Sequence, residues 1–505
     1  MKKAQLFNRV SVKKERYNTF DLTHDVKMSG RMGELLPIMN LECIPGDNIT
    51  LGADSMVKFA PLLAPVMHRF NVTMHYFFVP NRIIWDGWED FMTDVDTPPA
   101  FPIIEVNSGW TAAQQRFADY LGIPPNTAGV PTNVSALPFA AYQCVYNEWY
   151  RDQNLVAEVP YQLINGPNPR TNLAVMRLRA FEHDYFTSAL PFAQKGNAVD
   201  IPLGDITLNS DWYLDGSVPK LENSTGGYVS GNVTSDNATG EINVGSDNDP
   251  FAYDPDGSLE VTSTTITDLR RAFKLQEWLE LLARGGSRYI EQIKTFFDVK
   301  SSDQRLQRPE YITGTKQPVI ISEILNTTGE TAGLPQGNMS GHGVAVGTGN
   351  VGKYYCEEHG FIIGILSVTP NTAYQQGIPK HYLRTDKYDF YWPQFAHIGE
   401  QPIVNNEIYA YDPTGDETFG YTPRYAEYKY MPSRVAGEFR SSLDEWHAAR
   451  IFSSLPTLSQ DFIEVDADDF DRIFAVTDGD DNLYMHVLNK VKARRQMPVF
   501  GNPML

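Results

Sequence analysis

Between His68 and Arg82 apolar and polar positions alternate. Val72, Met74, Tyr76 and Phe78 share one parity, Asn71, Thr73, His75 and Phe77 the other, and Pro80-Asn81 marks a turn. Period-two alternation predicts a strand with one face on a core, and Phe77 predicts partial cover on the second face. The same signals predict strands near 17–28, 34–44, 68–79, 317–325, 360–369, 378–390, 461–466, 471–477 and 483–489. Phe361-Ile-Ile-Gly-Ile-Leu-Ser-Val368 is almost wholly apolar, which predicts a central strand buried on both faces. The middle of the chain changes period. Apolar residues three and four apart predict helices over Ala112–Leu121 and Leu137–Trp149. Thr265-Ile-Thr-Asp268 is a capping box with Asp in place of Glu or Gln, and Leu269, Phe273, Trp278 and Leu282 continue as an apolar stripe. Gly285-Gly286 should end that helix, with a second through Ile290, Ile293 and Phe297 and a short one at Ser441–Phe452. No internal repeat is evident, which excludes solenoids and propellers.

A chain of 505 residues with 42% hydrophobic positions can bury a large core, and 12% aromatics with 38 Gly and 33 Pro suit a β-rich fold with long loops. Cys43, Cys144 and Cys356 are odd in number and far apart, so a disulfide framework is not expected and assembly in a reducing cytoplasm fits. Lys2 and Lys3 are followed by no apolar run, so no signal peptide is expected, and no apolar stretch is long enough to predict a membrane span.

The net charge of −20 argues against nucleic-acid binding until its distribution is considered. Residues 1–16 carry Lys2, Lys3, Arg9, Lys13, Lys14 and Arg16 against Glu15, a net of +5. Residues 490–505 carry Lys490, Lys492, Arg494 and Arg495 and no acid, a net of +4. Residues 196–262 set Lys220 against twelve carboxylates, and 461–483 set Arg472 against nine. Solvated tails and loops are the plain reading of such segregation. A closed shell would use it differently, with basic ends on packaged phosphates and acidic loops outside. Phe7, Tyr17 and Phe500 lie among the terminal cations, and a single-strand surface needs both cations and stacking faces. Arg424, Lys429, Arg434 and Arg440 among Tyr425, Tyr428 and Tyr430 form a second aromatic-basic set, for which packing between subunits is an equal alternative.

Motifs for chemistry are weak. Gly347-Thr-Gly-Asn-Val-Gly352 has the glycine spacing of a dinucleotide turn but lacks a strand before and a helix after it, so a flexible loop is expected. Glu357-Glu358-His359 reads as a solvated edge, Asp478-Gly-Asp-Asp-Asn482 as a turn, and His447 as a packed residue. No nucleophile is marked by a local motif. No catalytic residue, metal or cofactor is expected.

Three long stretches carry a resemblance. Pro61-Leu-Leu-Ala-Pro-Val-Met67 with the strand that follows it, Phe419–Arg440, and Val491-Lys-Ala-Arg-Arg-Gln-Met-Pro-Val-Phe-Gly-Asn-Pro503 resemble the major capsid proteins of microviruses, above all the gokushovirus group. The resemblance implies a mainly β fold: one viral eight-stranded jelly roll over 1–505 with long, partly helical insertions. It implies a T=1 icosahedral shell of about sixty copies around a circular single-stranded DNA genome. Residues 1–16 and 490–505 would be basic segments facing that DNA. A small basic DNA-packaging protein would be a further partner. Residues 196–262, rich in Asn, Asp, Ser, Thr and Gly, resemble the insertion that protrudes near the three-fold axes and would meet a host cell-surface receptor. Trp212, Tyr213, Tyr228, Asp236 and Asp247 are the host-facing candidates there, and a disordered surface loop is the plain alternative. Two rival functions stay open: a β-rich carbohydrate-binding protein or glycosidase, and a phage adhesin.

Overall fold

The alternating segment does form a strand, Phe70–Pro80, and both of its faces are covered. The computed structural model describes residues 16–93, 98–125, 132–196, 265–286, 288–300, 302, 307–327, 337–348, 351–476 and 481–500, with the backbone of six short strands between 206 and 261. The chain divides into two compact units, Met1–Ala193 with Ala283–Leu505, and Gln194–Leu282.

Besides two short antiparallel pairs, Ile103–Val106 with Thr132–Ser135 and Glu400–Val404 with Thr418–Pro423, the first unit holds two larger sheets. Their strands are β1 (Asn18–Asp21), β2 (His24–Gly30), β3 (Leu36–Cys43), β4 (Asn48–Phe59), β5 (Phe70–Pro80), β6 (Glu310–Pro318), β7 (Ile320–Leu325), β8 (Met339–Gly347), β9 (Gly352–Tyr355), β10 (Gly360–Pro370) and β11 (Leu483–Arg495). One sheet is seven-stranded, in the order β1-β11-β4-β8-β7, with β2 also on β11 and β9 also on β4. The other is four-stranded, in the order β6-β5-β10-β3. All pairings are antiparallel. β10 is central and buried along its whole length, as its unbroken apolar run predicts.

The core follows from parity. Val72, Met74, Tyr76 and Phe78 of β5 pack with Ile362 and Leu366 of β10 against Ile49, Leu51 and Val57 of β4 and Met485, Val487 and Val491 of β11. The opposite face of the four-stranded sheet is covered as well. Phe77, Val79, Ile363 and Ile365 pack with Phe117 of helix α1 (Ala112–Tyr120) and with Phe139, Tyr142 and Cys144 of helix α2 (Leu137–Val145), which continues as a π-helical turn to Tyr150. Buried Tyr142 donates to the Leu35 carbonyl at 2.8 Å and accepts from the Arg177 amide at 3.1 Å, so its hydroxyl is satisfied. These helices lie in the excursion between β5 and β6. A second excursion, between β10 and β11, builds a third cluster from Tyr374, Ile403, Ile408, Phe419 and Phe462.

Within the second unit, the short strands form three antiparallel pairs: Ile206–Leu208 with Leu259–Val261, Lys220–Glu222 with Phe251–Tyr253, and Val233–Ser235 with Ile242–Val244. They are nested, as in one long hairpin. Helix α3 (Ile266–Gly285) follows where the capping box predicts it, with the Asp268 amide donating to Thr265 Oγ1 at 3.2 Å. Its Phe273 and Leu275 are exposed. Helix α4 (Tyr289–Phe297) then begins in the first unit.

Several expectations fail for local reasons. Residues 378–390 form 3-10 turns at Lys380–Tyr382 and Lys387–Asp389 and no strand, because Asp389 accepts from the Thr385 and Asp386 amides (3.1 and 3.0 Å). The stretch 461–466 opens with a helical turn, Gln460–Ile463, that buries Phe462 and Ile463 in the third cluster. The stretch 471–477 begins inside a 3-10 helix, Ala467–Ile473, started by Asp466 accepting from the Asp468 amide at 3.1 Å. Ser441–Phe452 has only a 3-10 turn at Asp444–Trp446, since His447 Nδ1 accepts the Ala449 amide at 3.0 Å. The Gly347–Gly352 stretch is bounded by strands: β8 ends and β9 begins there, and both pair with β4.

Candidate functional site

β11 alternates strictly. Leu483, Met485, Val487, Val491 and Ala493 face the core, which turns Tyr484, His486, Leu488, Lys490, Lys492 and Arg494 to the open face of the seven-stranded sheet. Register then sets which residues join them, because directly paired residues share a face. Tyr484 stands between Ser29 and Lys58, and His486 between Lys27 and Met56. Lys492 stands between Asp21 and Thr50, and Thr50 pairs onward with Lys353. Arg494 stands between Thr19 and Asn48, and Asn48 pairs onward with Tyr355. Six cations (Lys27, Lys58, Lys353, Lys490, Lys492 and Arg494) thus share one face with the carboxylates of Asp21, Asp25 and Asp54, a net of +3.

Part of that charge is engaged. Lys490 Nζ lies 2.5 Å from Asp54 Oδ2, and Asp25 meets His486 Nε2 at 3.1 Å and Lys27 at 4.0 Å. Asp21 is held below the usual carboxylate range, first by its bonds from Thr23 and last by the Lys492 charge. The Arg494 guanidinium sits 5.0 Å over the Tyr17 ring, and Tyr17, Tyr355 and Tyr484 are about half exposed.

The predicted DNA-facing residues therefore fall into three groups. Lys490, Lys492 and Arg494 come together on the open face. Arg495 turns the other way: its Nε lies 3.0 Å from Oδ2 of fully buried Asp47, and its Nη2 donates to the Glu42 carbonyl at 2.7 Å. Arg16 is exposed at the start of the described chain, while Lys2, Lys3, Arg9, Lys13 and Lys14 lie outside the described residues, as do Trp212, Tyr213, Tyr228, Asp236 and Asp247. Sequence reasoning missed Lys27, Lys58, Lys353, Tyr355 and Tyr484. The alternation Lys353-Tyr354-Tyr355 was the available signal; strand pairing was not.

A second surface is aromatic. Tyr382, Tyr388, Phe390, Tyr391, Trp392, Tyr428 and Tyr430 are about half exposed or more, and Met431 is 92% exposed. The backbone beneath them is held firmly. Buried Tyr425 sits at φ 64°, accepts from the Trp392 amide at 3.2 Å and donates to the Phe390 carbonyl at 3.2 Å. Arg384 pairs with Glu427 at 2.7 Å and lies 4.4 Å over the Tyr428 ring. Of the second aromatic-basic set, Arg424 lies over Tyr425 and donates to the Tyr388 carbonyl at 3.1 Å, while Lys429, Arg434 and Arg440 are exposed.

Of the motifs weighed for chemistry, Asp478–Asp480 lie outside the described residues, and the His447 and Glu358 side chains are engaged in packing and pairing. His447 is packed, with Nε2 2.6 Å from the Phe439 carbonyl. Glu358 forms a two-point pair with Arg82 at 3.0 Å. Among the described residues no group of three potential metal ligands converges, and no helix is long and apolar enough to cross a membrane. The three cysteines are free and buried.

Comparison with known proteins gives one answer. Residues 9–505 match the family model described as capsid protein (F protein). The chain is 37% identical to capsid protein VP1 of Bdellovibrio phage phiMH2K over 88% of this chain and 87% of that one. It is 33% identical to capsid protein VP1 of Chlamydia phage 1 (98% and 97%) and 31% identical to that of Spiroplasma virus 4 (95% and 94%). The match covers the two sheets and both excursions alike, and on this ground the chain belongs to the capsid protein (F protein) family of the microviruses, alongside its gokushovirus members.

Proposed function

We propose that this chain is the major capsid protein of a small single-stranded DNA phage, and that about sixty copies close a T=1 shell around the genome. Membership of the family makes it a structural component of the virion. The observation that carries the finer reading is the strand order. Taking β2, β3, β4, β5, β6, β8, β10 and β11 as first to eighth, the sheets read 1-8-3-6 and 2-7-4-5. That order supports the jelly-roll reading, in which distant strands pair and loops grow between them without breaking the core. The whole of 1–505 is then one capsid domain with insertions, the helical ones among them.

The mechanism is assembly. The exposed aromatic surface around Trp392 and Met431 suits burial against neighbouring copies, since a monomer seldom leaves so large an apolar patch in water. Basic segment 1–16 and, within 490–505, Lys490, Lys492 and Arg494 face the packaged DNA, with a small basic packaging protein supplying further cations. The 196–262 insertion, net −11, faces outward and meets the host receptor, because its charge would repel the genome. Assembly takes place in the host cytoplasm.

Replacing residues 220–250 by a short Gly/Ser linker tests the insertion. Shells should form as before and infect poorly or with altered host range. Loss of folding in the isolated protein would place the segment in the core and remove this reading of it.

A further inference from the structure

We infer that the open face of the seven-stranded sheet is a binding site for an extended single-stranded phosphodiester backbone, with Lys492, Arg494 and Lys353 as its phosphate contacts and Tyr355 and Tyr17 as its stacking faces. The inference rests on the capsid reading and specifies where the chain meets its genome.

Register sets the spacing of the cations. Lys490, Lys492 and Arg494 are two residues apart on one strand, so their side chains leave the sheet at intervals of roughly 7 Å. An extended single strand lying along β11 can meet such a row one phosphate at a time. Lys353 reaches the same end of the sheet from β9, two strands away, roughly 10 Å across. The cations therefore flank a track instead of forming a single spot. At that end Asp21 is the one carboxylate that strand pairing sets beside them among the described residues; Asp25 and Asp54 sit further along, where they hold Lys27, His486 and Lys490.

Aromatic placement is a second, independent observation. Tyr355 shares a row with Asn48 and Arg494, and Tyr17 lies under the Arg494 guanidinium. Cations neutralise phosphate and π faces accept bases of any identity, which together define a sequence-tolerant single-strand surface. The face carries net +3 on a chain of net −20, so the basic character is placed, not inherited from composition. The sheet's other face is packed core.

The test titrates the purified full chain with a fluorescent oligothymidylate across a salt series. The combined variant Lys353→Ala, Lys492→Ala and Arg494→Ala should lower the slope of log affinity against log salt by about 2, near 0.7 for each phosphate no longer neutralised. Tyr355→Ala should weaken binding on the order of tenfold with the slope unchanged. Lys274→Ala, on α3, should change neither. Thermal unfolding checks that each variant folds; if the alanine set does not, the matching glutamine set, which keeps much of the packed stems, gives the same readout. An unaltered slope in the triple variant overturns the inference and moves the DNA contact to residues outside this face. Shells seen by electron microscopy alongside a chain that binds no oligonucleotide would overturn it too, leaving the capsid reading intact. Failure to form shells would count against that reading instead.

Discussion

Arg495 and Lys492 are neighbours in a basic run, yet parity gives them different work. Arg495 neutralises Asp47, whose side chain is wholly buried; burial pushes that carboxyl up, and the Ile44 amide and Arg495 oppose it. Removing one partner of a buried pair strands the other charge. Arg495→Ala should therefore cost about 3 kcal/mol in denaturant unfolding and leave the salt dependence of DNA binding unchanged. A stable variant with a reduced salt slope would reverse that assignment. Two histidines give a pH signature. Burial pushes His75 and His68 down to about 4, despite the Asn371 carbonyl 2.6 Å from His68 Nε2. Their unfolded values lie near 6.5. Between about pH 6.5 and 4 the unfolded chain takes up protons that the folded chain refuses, so stability falls as pH falls, on the order of 3 kcal/mol for each group. Urea midpoints measured from pH 7 to 4 should drop, and His75→Gln should flatten the drop; an equal slope in the variant would contradict the assignment.

Elements show how turns fix the crossing between sheets. Gly33, at φ 84°, lies between β2 of one sheet and β3 of the other, and a Cβ there would stand 2.0 Å from the Val465 carbonyl oxygen. Its amide donates to the Val368 carbonyl at 2.9 Å. Gly33→Ala should destabilise by about 3 kcal/mol, read as a lowered unfolding temperature; a neutral effect would mean that the turn can adjust. Strands with clean alternation or unbroken apolar runs, β3, β5, β10 and the 483–489 half of β11, were legible in the sequence, as were α1, α2 and the capped start of α3; the continuation of β11 to Arg495 was not. β4 was not, because Gly52-Ala-Asp-Ser55 looks like a turn until β11 and β8 pair with it. β8 was hidden by Gly341, Gly343 and Gly347, which the tight packing of Leu62, Phe59 and Gln317 requires. Conversely, 378–390 has the composition of a strand but satisfies its backbone in local turns. The candidate site was half legible: the basic run at 490–495 was visible, but Lys58 and Lys353 reach it only through pairing across hundreds of residues.

At the scale of the whole molecule, charge and apolar surface are both segregated. The open sheet face is basic within an acidic chain, and the surface around Trp392, Tyr430 and Met431 is aromatic and exposed. The proposed shell would account for both, with the first facing the genome and the second buried between copies. The most direct test is a cryo-electron microscopy reconstruction of the particles formed by the full chain. Closed icosahedral shells are expected, with Lys353, Lys492 and Arg494 on the inner surface and Met431 where subunits meet. Monodisperse monomers, a trimer, or shells presenting that sheet face to the outside would contradict the capsid reading or its inward placement of that face.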